Sequence, residues 1–187
     1  MKNVIIVHGM PDKEEYYGVL GDTMGNSHFI PWLQKQLQLK NIKADVPEMP
    51  QAYYPDYVVW SHEFERFEVT AETVLVGHSC GAGFLVRWLS EHSAVTVAKL
   101  ILVAPWINAK SEHETTMFDF TVDTLLPARM PVVIFDSTDD SEDIVNSVSK
   151  LRTELTMATF VSFENHGHFC RSDIGRTFPS LLEEILK

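Results

Sequence analysis

The sequence predicts an α/β protein: a mostly parallel sheet of about six strands with helices on both faces. Two observations predict it. Short apolar runs recur along the chain, each about the length of a buried strand, at residues 4–7, 73–76, 100–103 and 132–135, with weaker candidates at 44–46 and 159–163. These runs are continuous rather than alternating, as expected of strands covered on both faces. Helical patterns stand between them, at 31–39, 84–89, 144–157 and 178–186. Strands alternating with helices give parallel pairing through crossover helices.

Bulk properties fit one domain spanning residues 1–187. The chain has 187 residues, 45% of them hydrophobic and 22% charged. That is an ordinary globular composition. A chain of this length buries roughly 70% of its unfolded surface, so it needs no metal or disulfide to hold together. The formal net charge is −11, which argues against nucleic acid or an anionic membrane as the main partner. It also disfavours anionic substrates away from any local basic pocket. Two cysteines, Cys80 and Cys170, are too few for a disulfide scaffold and point to a reducing compartment. The apolar run at 4–7 is too short for a signal-peptide core, and no run approaches the ~20 residues of a membrane span. The expectation is a soluble, cytoplasmic protein with a small-molecule substrate and no cofactor; a protein partner is not readable from the sequence.

Two segments fit no regular element: 10–25, rich in glycine and acidic residues, and 106–130, of mixed character. Both follow expected strands. Both are therefore expected near the carboxyl edge of the sheet, where open α/β sheets bind ligands. Either is a pocket wall or a solvated connection.

The chemistry concentrates in Gly77-His78-Ser79-Cys80-Gly81, a G-x-S-x-G run that follows a strand pattern and opens a helix pattern. That context makes the pentapeptide meaningful. A sharp turn between strand and helix lifts a serine hydroxyl to the top of the sheet, at the cost of a strained backbone. Flanking glycines remove side chains that would collide there. The helix start presents backbone N–H groups, that of Cys80 first, where negative charge would develop. Ser79 is the expected nucleophile.

A nucleophilic serine needs a base, and the base an orienting acid. In strand-to-helix serine enzymes the order is Ser, acid, His, and the chain supplies it. The run at 132–135 is followed by Asp136-Ser137-Thr138-Asp139-Asp140, and the run at 159–163 by Glu164-Asn165-His166-Gly167-His168-Phe169. Both clusters are expected in loops on the edge that carries Ser79. Within them, Asp136, Asp139 and Asp140 compete for the acid, and His166 and His168 for the base. A His166-x-His168 pair could ligate a metal, but no further ligand is obviously placed, so no metal is expected.

These three motifs, with Met49-Pro50 after the second strand and the overall length, resemble the small serine hydrolases related to retinoblastoma-binding protein 9 and the bacterial YdeN-type proteins. The resemblance spans nearly the whole chain. It implies a compact α/β-hydrolase fold without a large cap domain and hydrolysis of esters or amides. It also implies that the acid is the second aspartate of Ser-Thr-Asp-Asp, here Asp140, and the base the histidine of Gly-His-Phe, here His168. The segment 10–25 is longer than the short glycine-rich loop that lends such enzymes their second oxyanion N–H; that role falls to Met10. Cys80 replaces a serine or other small residue and is expected to point away from the substrate.

The expected activity is carboxylesterase-like. Its rivals are a small-peptide serine peptidase and a protein-binding module that keeps the fold without turnover. A nucleotide site is disfavoured, because His8-Gly9-Met10-Pro11 is neither G-x-G-x-x-G nor a P-loop. Trp106, Met117, Phe118 and Phe120 either line an acyl pocket or pack in the core, with core packing favoured.

Overall fold

Six strands pair in parallel in the order β2-β1-β3-β4-β5-β6 in the computed structural model. The structure describes residues 3–19, 21–107 and 116–187. The strands are β1 (Asn3–Val7), β2 (Lys43–Asp45), β3 (Thr73–His78), β4 (Lys99–Val103), β5 (Val132–Ser137) and β6 (Thr159–Phe163). Successive residues of β1, β3, β4 and β5 are buried almost without exception. Side chains alternate between faces along a strand, so unbroken burial means that both faces are covered. The edges differ: β2 is short and carries Lys43 and Asp45 paired to each other, and β6 is only partly buried. A short charged edge gives a second chain little to pair with.

The helices long enough to cover the sheet are α2 (Ile30–Leu39), α3 (Tyr57–Phe64), α4 (Cys80–Glu91), α6 (Glu142–Glu154) and α8 (Pro179–Leu186); shorter turns are α1 (Lys13–Tyr17), α5 (Leu126–Arg129) and α7 (Arg171–Ile174). Helix α4 packs on β1, β3 and β4, α6 on β5, and α2 on β2 and α8. Helix α3 was not legible from the apolar runs. Its buried residues Tyr57, Trp60 and Phe64 recur at helical spacing, and Asp56 caps it by accepting the Val59 N–H at 3.0 Å. Trp60 and Phe64 then pack edge-on against Phe84 of α4. Helix α6 stops at Glu154, three residues short of the sequence expectation, because Leu155 turns in to bury its side chain.

The strand order reverses at β1, with β2 on one side and β3 on the other. Right-handed crossovers send the connecting helices to opposite faces at such a point and leave a crevice between the loops after the two strands. The turn after β3 and the loop after β1 meet there.

Candidate active site

Ser79 occupies the single-residue turn between β3 and α4, with φ 55° and ψ −120°. A non-glycine residue in this region carries about 1–3 kcal/mol of strain. The surroundings enforce it. The Ser79 N–H donates to the Val103 carbonyl at 2.9 Å, and the Ser79 carbonyl accepts N–H groups from Ala82, Gly83 and Trp106. The glycines on either side are steric necessities: a β-carbon at Gly77 would lie 2.5 Å from Ala82 Cα, and one at Gly81 would lie 2.3 Å from the His8 carbonyl oxygen.

His168 comes from the loop after β6. Gly167 and Phe169, on either side of it, both have positive φ, and buried Phe169 roots the loop in the core. The Asp173 carboxylate accepts the N–H groups of His168 (3.1 Å) and Cys170 (2.9 Å), and Asp139 accepts that of Gly167 (3.1 Å). From the other side, His78 Nε2–H donates to the His168 carbonyl at 2.8 Å.

The structure brings Ser79, His168 and Asp140 together. His168 Nε2 lies 2.8 Å from Ser79 Oγ, and His168 Nδ1 lies 2.8 and 3.1 Å from the two Asp140 oxygens. A carboxylate only accepts, so Nδ1 carries the proton and Nε2 accepts from the serine hydroxyl. The Asp140 side chain is 2% exposed and that of His168 29%, which leaves the acid shielded and the imidazole partly open.

The competing residues are engaged elsewhere. Strand β5 extends through Ser137, so Asp136 lies in the strand rather than in a loop. Its carboxylate accepts from Ser162 Oγ at 2.9 Å and pairs with Arg152 at 3.2 Å. Asp139 accepts the Ser137 hydroxyl at 2.5 Å, and the same hydroxyl receives the His166 N–H; hydrogen bonding to Ser137 holds the Asp139 carboxyl below its usual range. The His166 ring lies over Phe163, 4.4 Å between centroids.

The two N–H groups expected at the oxyanion belong to Cys80, next in the chain after Ser79, and to Met10, which lines the pocket over Ser79. That of Cys80 opens α4, and that of Met10 follows Gly9, whose absent β-carbon would sit 3.1 Å from Ser79 Cβ. Neither donates to another group among the described residues. The Cys80 side chain is buried, and burial drives its thiol pKa far upward. His8 fastens the β1 loop: it lies 2.8 Å from the Gly9 carbonyl through Nδ1 and accepts the Met49 N–H at Nε2, 2.9 Å away. Burial lowers its pKa.

The pocket over Ser79 holds about 100 Å³ and is lined by Met10, Met24, Ser27, His28 and Cys170, among others. The segment 10–25 therefore supplies part of its wall. Trp106 and Phe118 instead pack edge-on against each other behind α4, with Met117 fully buried; the acyl-pocket alternative for these residues gives way to core packing. Phe120 is half-buried against the same core. Residues 108–115 of that segment lie outside the described residues. His28 and His78 are the site residues that the sequence did not single out. The available signal for His78 was its place beside the serine; His28 had none. Among the described residues, no group of three or more His, Cys, Asp or Glu could hold a metal, and no helix is long and apolar enough to cross a membrane.

A parallel sheet with a strained serine lifted between its third strand and the following helix defines an α/β hydrolase. The chain belongs to the Serine hydrolase family, which it matches over residues 20–182. It is 26% identical over 195 residues to YdeN of Bacillus subtilis (strain 168), named as a hydrolase, covering 99% of this chain and 94% of that one. The YdeN crystal structure superposes with a TM-score of 0.84 at 20% identity, over 100% of this chain and 97% of the other. Est1E from Butyrivibrio proteoclasticus superposes with a TM-score of 0.66 at 12% identity, over 99% and 87%.

Proposed function

We propose that the protein hydrolyses small carboxylic esters, or the corresponding amides, through an acyl-enzyme on Ser79. The observation that carries this reading is the hydrogen-bonded line from Ser79 Oγ through His168 to Asp140, 2.8 Å at each step. His168 Nε2 takes the hydroxyl proton as Ser79 Oγ attacks the carbonyl carbon. Asp140 orients the ring and stabilises its charged form. The N–H groups of Cys80 and Met10 receive the oxyanion, each such donor being worth about 3 kcal/mol in the transition state. His168 returns the proton to the leaving alcohol or amine. Water, deprotonated by His168 in turn, releases the acid and restores Ser79. The small pocket over Ser79 suits a short acyl group.

The substrate is taken to be a small molecule rather than nucleic acid, given the net charge of −11. Two free cysteines are in keeping with a cytoplasmic location. The test is labelling with a fluorophosphonate, which reacts with an activated serine. The wild type is expected to label and Ser79→Ala to lose the label; labelling that survives Ser79→Ala refutes the assignment. Parallel assays with an arylester and an aminoacyl anilide separate esterase from peptidase.

A further inference from the structure

Four of the six arginines are paired with carboxylates: Arg66 with Glu63, Arg87 with Glu91, Arg129 with Asp123 and Arg152 with Asp136. The guanidinium groups of Arg171 and Arg176 make no hydrogen bond or ion pair with any described residue. In a chain with 26 acidic residues against 15 basic ones, two unpaired arginines stand out. Both line one cavity of about 320 Å³, together with Trp32 and His28. One carboxylate, Asp22, also lines it, so the fixed charge of the lining is positive by one.

This cavity adjoins the Ser79 pocket, for His28 lines both. His28 Nδ1 accepts the Arg171 N–H at 3.2 Å, so Nε2 holds the ring proton of the neutral form. The residue has φ 55°, a strained conformation of the kind that collects at ligand sites. Its ring stands 5.6 Å from that of His78, whose ring is 5.1 Å from that of His168. A molecule with its carbonyl at Ser79 therefore reaches the arginines by passing His28.

We infer that this cavity is a subsite for a carboxylate carried by the substrate several atoms from the scissile bond. Guanidinium is planar and pairs with carboxylate through two parallel N–H bonds. Trp32 supplies an aromatic face for the atoms between. The sequence argued against anionic substrates except at a local basic pocket, and this is such a pocket. The inference rests on the Ser79 reading and deepens it: the substrate becomes an ester or amide bearing a remote carboxylate.

Two series of para-nitrophenyl and phenyl esters test it, with the carboxylate on the acyl side in one and on the leaving-group side in the other. Each anionic ester is compared with its uncharged methyl ester. In one series the anionic member is expected to have the higher kcat/KM by about tenfold at low salt, as two partly exposed ion pairs allow. The preference should shrink as salt rises and collapse toward unity in Arg171→Gln/Arg176→Gln. Equal or better turnover of the neutral esters in both series overturns the subsite, as does a preference that survives the double substitution. A second arm is independent of turnover: phenylbutyrate should bind Ser79→Ala more tightly than the uncharged amide does, and lose that advantage when both arginines are replaced. If Ser79 fails to label while this binding difference holds, the hydrolase reading fails and the anion site stands. If Ser79 labels and the difference is absent, the reverse is true.

Discussion

The ring of His78 reaches past the serine turn and donates from Nε2 to the backbone carbonyl of His168, 2.8 Å away. The residue before the proposed nucleophile thus fastens the backbone of the proposed base, and one turn sets both partners. The bond asks for a neutral ring, since Nδ1 is buried without a partner among the described residues. His78→Leu removes the stronger donor and leaves the carbonyl only the weak Cys170 S–H, 3.8 Å away, at a cost of about 1 kcal/mol in stability. A loop free to shift by about an ångström is expected to lower kcat by ten- to a hundredfold. His78→Gln, whose amide N–H can donate, should recover part of the rate. Equal kcat for the two variants would count against the role.

Three aspartates crowd the end of β5, and the structure assigns each different neighbours. Asp140→Asn leaves shape intact but favours the wrong imidazole tautomer, so kcat should fall by about a thousandfold or more. Asp139→Asn loosens the loop that holds Gly167 and should cost far less. Asp136→Asn removes the charge paired with Arg152, which lies off the line to Ser79, and should leave kcat within about twofold while costing up to about 1 kcal/mol. Steady-state kinetics and urea melts on the three variants give the comparison; a collapse of activity in Asp136→Asn rather than Asp140→Asn would reverse the assignment.

The central strands are readable because burial on both faces imposes continuous apolar runs, as at residues 4–7 and 100–103. Ser79 is readable because its turn is local: strand, glycines and helix adjoin in sequence. What makes His168 rather than His166 meet Ser79 is not local. It depends on two positive-φ residues, Gly167 and Phe169, and on anchors from Asp139, Asp173 and His78. Motif resemblance pointed to His168 and Asp140 where spacing left a choice. Helix α3 escaped because exposed Val58 and Val59 blur its buried stripe. The paired cavities meeting at His28 are a product of packing alone.

Gly83, one turn into α4, separates steric need from flexibility. A β-carbon there would lie 2.0 Å from the Trp106 carbonyl oxygen and 2.7 Å from the Phe118 ring, and backbone cannot yield as a flexible side chain would. Gly83→Ala is expected to cost at least about 3 kcal/mol or to abolish folding. The control is Gly21, where the added carbon would make only ordinary contact at 3.5 Å; Gly21→Ala should change stability by less than about 1 kcal/mol. Thermal melts decide: similar melting temperatures for the two variants would mean that α4 does not sit so close to the 106 backbone.

Buried histidines should also set the acid limit of stability. Burial, first among the causes, lowers the pKa of His8, His28 and His78, with the nearby His168 charge adding to the effect at His28 and His78. In the unfolded chain each titrates near 6.5. Below that pH the unfolded chain binds protons that the folded protein refuses, and linkage then favours unfolding. Their contribution is fully present above about pH 6.5 and is lost as pH falls toward the folded values, with a limiting slope of about 1.4 kcal/mol per pH unit for each fully buried ring. The urea midpoint should therefore drop between about pH 7.5 and 5.5, before carboxylates of ordinary pKa contribute. His78→Gln should flatten that slope, because one refusing group is gone. A midpoint constant over this range, or a slope unchanged by His78→Gln, would show that these rings take up protons in the folded state.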